Sequence, residues 1–294
     1  MIKYVLLVLG GAISFGILTS FVKLAYKEGY HPAEISFIQA SIGAIVLWGT
    51  ACFSENRNVK AKQIPALLFT GASIGISTYL YYLSVQYIPA SVAIVLLMQF
   101  TWISILIEWF IYKKRPSVLE IIITAAILFG TLLASGSTSK KGIELPILGI
   151  VYVLFAALIY AIYIVSNSRN SKEIGWQYKS AWIMTGSSIS IFLVNLNTLV
   201  YHSHIETGLF KWGVFLALFG TILPPVFFAV GMPKVGASRS GLLMTVELPM
   251  AILSAHLILK ENITLVQLAG IAIMLSAIIW MNLAQTKEPK KIMS

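Results

Sequence analysis

Glu247 is the residue of this 294-residue chain best placed to do chemistry. It falls in the middle of an apolar run, 236–258, where an ionised carboxylate is costly unless it faces a cavity or a partner. Two residues on, Pro249 has no amide hydrogen, so in a regular helix the carbonyl of Thr245 loses its i+4 donor. A carboxylate beside a freed carbonyl suits a cation, a ligand's ammonium or an exchangeable proton. The alternative is a hydrogen-bonded Glu that staples helices together. Pro224 and Pro225, midway along 211–232, free the carbonyls of Gly220 and Thr221 by the same logic. Such breaks at mid-membrane are tolerated where the backbone lines a cavity or where neighbours satisfy it.

Other polar residues recur at helical spacing. Thr70, Ser73, Ser77, Tyr81 and Ser84 share one face, as either a wetted wall or a hydrogen-bonded seam. Thr185, Ser188, Asn195 and Thr198 form a second stripe. Both cannot line one small cavity, which leaves one for packing or a homodimer contact. Gln99 and Trp102 are three apart, and Tyr160, Tyr163 and Asn167 follow steps of 3 and 4. Aromatic faces attract cations by about 0.5–2 kcal/mol and offer a flat apolar wall, although such stripes also serve packing. Ser14 on the first run completes the candidate cavity set. The four histidines are dispersed, with His202 and His204 two apart, and predict no metal site.

These residues need elements to hold them, and composition says which. The chain is 58% hydrophobic and 11% charged, against about 25% charged for a soluble domain. Ten apolar runs are predicted as membrane helices: 4–25, 33–53, 63–87, 90–112, 117–135, 146–168, 178–201, 211–232, 236–258 and 264–284. Connections are short and leave no room for a separate soluble domain. The run after Lys3 is too long for a signal peptide and is read as the first, retained helix.

Placing the N-terminus in the cytoplasm puts fifteen Lys and Arg inside and six outside, so both termini are expected on the cytoplasmic side of a cell (inner) membrane. That distribution also accounts for the +10 charge through lipid headgroups, without nucleic acid. Arg239, at the cytoplasmic start of its run, reads as a gate charge or a phosphate contact, while Glu34, Glu108, Glu120 and Lys23 lie near helix ends and can snorkel to water. All eleven acids are Glu, which excludes Asp-dependent active sites. The lone Cys52 forbids an internal disulfide, and no Gly-rich nucleotide loop is present to allow ATP drive.

The second half reads as a diverged copy of the first. A shift of 147 residues lays Lys113 over Lys260, Ser117 over Thr264, and Pro89-Ala90-Ser91 over Gly236-Ala237-Ser238. Five helices per half must then sit in opposite orientations, giving an all-α membrane protein of two inverted five-helix repeats, 1–142 and 143–294. Glu247-Leu248-Pro249, Lys260-Glu261-Asn262 and Gln267-Leu268-Ala269-Gly270 resemble the end of an EamA repeat of the drug/metabolite transporter superfamily. The chain departs from that pattern where Leu248 separates Glu247 from Pro249, where Lys260 precedes Glu261, and where Phe100-Thr101-Trp102 fills the matching place in the first half.

The resemblance implies a ten-helix fold that moves amino acids, other small metabolites and some drugs, often outward. With the inverted repeat, it points to a secondary transporter working by alternating access, with amino acids or related amphipathic amines as cargo and Glu247 binding the ammonium or a coupling proton. Proton antiport and facilitated exchange both fit, and no cofactor is expected. A sugar or nucleotide-sugar carrier of the same superfamily is the runner-up, but no Lys or Arg lies at mid-depth to meet phosphate. A membrane-embedded enzyme needs a denser polar cluster than this chain offers, and a receptor has no need of the repeat.

Overall fold

The computed structural model describes residues 2–54, 59–88, 90–134, 146–169, 174–201, 207–260 and 263–287. The expected boundary between the halves at 142, the pair His202 and His204, and Glu261-Asn262 of the motif lie outside them. All regular structure among the described residues is helical. In chain order the helices are α1 (Ile2–Lys27), α2 (Pro32–Cys52), α3 (Ile64–Tyr87), α4 (Ala90–Leu97), α5 (Phe100–Tyr112), α6 (Val118–Ala134), α7 (Ile147–Arg169), α8 (Trp176–Val194), α9 (Leu196–Tyr201), α10 (Thr207–Leu216), α11 (Leu223–Val235), α12 (Ala237–Met244), α13 (Glu247–Leu259) and α14 (Leu265–Lys287). A π-helical stretch, Ala217–Ile222, joins α10 to α11.

Among the described residues, seven helical stretches are long and apolar enough to cross a membrane, including Val92–Tyr112, Gly208–Val235 and Ala237–Ile258, each of which runs through a local break. The other three expected spans coincide with less decisive helices. Val118–Ala134 and Leu265–Met281 are shorter, and α8 is a 19-residue helix carrying Lys179 and five Ser or Thr hydroxyls.

The same offset of 147 residues reappears in backbone detail. At the break between α4 and α5, Gln99 and Thr101 donate to the carbonyls of Leu96 and Met98, at 3.2 and 3.0 Å. Between α12 and α13, Val246 and Leu248 donate to Leu243 and Thr245, at 3.3 and 3.1 Å. Lys113 and Lys260 both end their helices in the left-handed conformation, with φ of 56° and 58°. The next helices open on matching reciprocal caps: Ser117 with Glu120 before α6, and Thr264 with Gln267 before α14. Finally, Ser41 and Ser188, themselves 147 apart, meet hydroxyl to hydroxyl at 2.8 Å where α2 crosses α8. A residue touching its own mate is the mark of an approximate two-fold axis.

Helix packing relies on small residues, since lipid provides no hydrophobic drive between helices. A Cβ on Gly71 would sit 1.9 Å from the carbonyl oxygen of Ile183, and one on Gly186 would sit 2.3 Å from that of Leu68. Helices α3 and α8 therefore touch backbone to backbone. Gly75 repeats this a turn later, where a Cβ would meet the Ser187 carbonyl oxygen at 2.7 Å. At the turn from α11 into α12, Gly236 takes φ of 93°, a conformation costly for any residue with a side chain.

Candidate functional site

The break at Thr245–Val246 sets the position of Glu247. Because it opens a new helix there, its neighbour Pro249 falls in the first turn of α13, where a missing N–H breaks no intrahelical bond. The expected free carbonyl at Thr245 is not found: the tight turn supplies the Leu248 N–H as donor at 3.1 Å. Gly16 makes room for this backbone, since a Cβ there would meet the Glu247 carbonyl oxygen at 2.5 Å.

Pro224 and Pro225 lie in the first turn of α11, and the chain widens into the π-helical stretch just before them. There the Thr221 hydroxyl donates to the carbonyl of Gln39 at 2.6 Å. Gly43 accommodates that hydroxyl, which a Cβ at that position would meet at 2.4 Å.

Glu247 is 5% exposed, and among the described residues no Lys or Arg forms an ion pair with it. The Tyr160 hydroxyl donates to it over a long 3.5 Å. Tyr160 is itself held by rings: it stacks on Tyr163 with centroids 6.0 Å apart and takes the edge of Phe100 at 4.8 Å. Phe100 lies 147 residues before Glu247, so the two breaks deliver a ring and a carboxylate to the same tyrosine.

Glu247 and Tyr160 border a cavity of about 50 Å³. Its walls are Phe15, Leu18 and Thr19 of α1, Gln39 and Ala40 of α2, Ser77, Thr78, Tyr81 and Tyr82 of α3, and Met184, Ser187 and Ile191 of α8, closed by Leu97, Gly220 and Thr221. That volume holds a few waters, far below the roughly 300 Å³ or more of a typical ligand site. Taking up a ligand therefore requires the walls to part.

Of the residues expected in the cavity, Glu247, Tyr160, Ser77 and Tyr81 line it. Ser77 spends its hydroxyl on the Ala156 carbonyl at 2.8 Å, tying α3 to α7. The Tyr81 hydroxyl, with Thr19 and Glu247 in its surroundings, is buried without a hydrogen bond of normal geometry. Ser14 lies outside the lining and donates to the Phe219 carbonyl at 2.5 Å. Tyr163 stands behind Tyr160, accepting from Asn167 at 3.2 Å.

Gln99 and Trp102 are not in the lining. The Trp102 indole, 38% exposed, donates to Gln99 at 2.8 Å on the outer face of the helix pair. Most of the α3 stripe is buried packing surface, with the Thr70, Ser73 and Ser84 hydroxyls donating to carbonyls of their own helix. The α8 stripe is also used internally: Thr185 accepts from Trp48 at 2.9 Å and Ser188 meets Ser41.

Gln39 was not singled out from the sequence, although a buried amide within an apolar run is the signal that exposes such sites. It accepts from the Tyr82 hydroxyl at 3.3 Å and faces the cavity beside Gly220. We expect Gln39→Leu to raise the half-saturating cargo concentration about fivefold, the size of one neutral hydrogen bond. Trp102→Leu should leave it unchanged. A cargo titration of the two variants side by side checks this.

The model of the EamA-like transporter family matches twice, over residues 2–136 and 147–283. The chain is 26% identical over 262 residues to the threonine/homoserine exporter RhtA of Escherichia coli (strain K12), covering 87% of this chain and 83% of that relative. It is 22% identical to the uncharacterized transporter YcbK of Bacillus subtilis (strain 168), across 96% of this chain and 93% of the relative. A solved crystal structure superposes with a TM-score of 0.72 over 95% of this chain and 99% of that one, at 14% identity, a likeness of fold alone.

Proposed function

The chain belongs to the EamA-like transporter family, and on that premise we propose that it is a secondary transporter exporting small amphipathic amines, with amino acids first, through the cavity at Glu247. The observation that carries this reading is a buried carboxylate at mid-depth, facing a cavity, with no protein cation paired to it among the described residues. Such a group calls for a positive charge from elsewhere, and an ammonium against the Tyr160 and Phe15 rings meets both needs. The exporter RhtA, named for threonine and homoserine, supports the choice of amino acids.

Alternating access follows from two halves, 1–142 and 143–294, rocking about the crossing of α2 and α8, with both termini cytoplasmic. The recurrence of breaks and caps at one offset supports that division. Glu247 binds the cargo's ammonium or a coupling proton, and exchange with or without a proton both remain compatible with the site. Among the described residues no Lys or Arg lines the cavity, so nothing in it favours a nucleotide-sugar.

Thermal stabilisation of the purified chain tests the cargo class. A ligand that binds only the folded state at 100 times its Kd adds about 2.7 kcal/mol. We expect amino acids such as threonine and homoserine to raise the melting temperature, and nucleotide-sugars to leave it unmoved. The reverse pattern would sink the assignment.

A further inference from the structure

We propose that Glu108 is the latch of a gate at the end of the molecule opposite the cavity, and that it holds the present conformation closed there. Glu108 sits near the end of α5 and is 1% exposed, instead of reaching to water as its place near a helix end predicted. It accepts from the Arg169 guanidinium at 2.7 Å, from Lys114 at 3.2 Å, from the Ser238 backbone N–H at 3.1 Å, and from the Ser238 hydroxyl. Arg169 is the last residue of α7 and also covers the Tyr112 ring at 4.3 Å. Ser238 is in the first turn of α12. One carboxylate from the first half thus gathers two helix ends from the second. Exposed ion pairs hold little, but a buried acceptor with four donors leaves several groups unsatisfied when it goes.

Position makes this a gate and not only a staple. The cavity residues Tyr81, Tyr82 and Ile191 lie in the late turns of α3 and α8. Those turns are at the opposite end from Glu108, Arg169 and Ser238. Nine residues of α7 separate Tyr160 from Arg169, about 13 Å at 1.5 Å per residue. The intervening layer is filled by Asn167, Met232 and Phe228, all fully buried. If the halves rock, the cargo can pass this layer only after α5 separates from α7 and α12, which requires Glu108 to release Arg169 and Ser238. The inference rests on the alternating-access reading, and its test needs no cargo.

In a Cys52→Ser background, Met232→Cys reports the Glu108 end and Ile191→Cys reports the cavity end, each by its rate of reaction with a hydrophilic thiol reagent in detergent. Adding Glu108→Gln is expected to speed Met232→Cys labelling about tenfold or more and to slow Ile191→Cys. Arg169→Gln should produce the same shift, with Arg169→Lys recovering part of it. Ser238→Ala, the mildest change, carries the test if Glu108→Gln fails to fold. Unchanged Met232→Cys labelling in folded Glu108→Gln and Arg169→Gln overturns the gate, as does faster labelling of both cysteines together. A chain that shifts accessibility in this way but is stabilised by no amino acid supports the gate and overturns the cargo.

Discussion

Glu247→Gln is expected to lower cargo flux in proteoliposomes by about 10- to 150-fold, the worth of one charged hydrogen bond at about 1.5–3 kcal/mol. The amide has the shape of the acid and still accepts from the Tyr160 hydroxyl, so the wall of the cavity is kept while the charge is lost. Cation attraction to the Tyr160 and Phe15 rings leaves a residual of about 0.5–2 kcal/mol, too little to replace the carboxylate. Stability should move the other way. An ionised group with no cation paired to it among the described residues is costly in the membrane interior, so the Gln variant is expected to melt at the same or a higher temperature. Lower flux with undiminished stability separates a lost binding group from a damaged fold. Normal flux for every cargo that the parent carries would remove Glu247 from the mechanism.

Gly71→Val is expected to yield no monodisperse protein. The added Cβ would sit 1.9 Å from the Ile183 carbonyl oxygen and 2.9 Å from the Ser187 nitrogen, which are backbone atoms that no rotamer change can move. Overpacking ordinarily costs about 1–3 kcal/mol. Here α3 and α8 must part along a seam that also holds Gly75 and Gly186 in contact, which places the cost at or above that range. Gly71→Ala, the smaller insult, should lower the melting temperature by about 5 °C or more. Gly49→Ala is the control: among the described residues nothing lies within 4 Å of its Cβ position, and alanine favours the helix by about 1 kcal/mol. Its melting temperature should hold or rise. Equal behaviour of Gly71→Ala and Gly49→Ala would show that the helices are not in backbone contact.

The sequence made the helices legible because lipid leaves few alternatives: the runs 33–53 and 146–168 match Pro32–Cys52 and Ile147–Arg169. The offset of 147 was legible too, and Lys113 and Lys260 end their helices with the same left-handed turn. The break at Met98–Gln99 was hidden, since neither Gly nor Pro marks it and its tight turn has no local sequence signature. Its partner at Thr245 was anticipated near Pro249 with the Thr245 carbonyl left open, but the Leu248 N–H fills it, because the proline follows the break and does not cause it.

Periodicity identified the α3 stripe as one face without naming its neighbours, so Ser77 and Thr70 read alike, although one bonds α7 and the other its own helix. Trp102 was drawn into the cavity by depth alone, and rotation about the helix axis turned it outward. Glu108 read as a snorkelling acid because its partners Arg169 and Ser238 are 61 and 130 residues away along the chain.

The measurement that tests the central claim most directly is labelled-substrate exchange by the purified chain in proteoliposomes, across amino acids, organic cations and nucleotide-sugars, with and without a pH gradient. The account predicts counterflow of at least one amino acid or related amine, lost in Glu247→Gln. Equal exchange with and without the gradient would argue against proton coupling and leave the carrier role intact. Exchange confined to nucleotide-sugars, or carried equally by Glu247→Gln, would contradict the account.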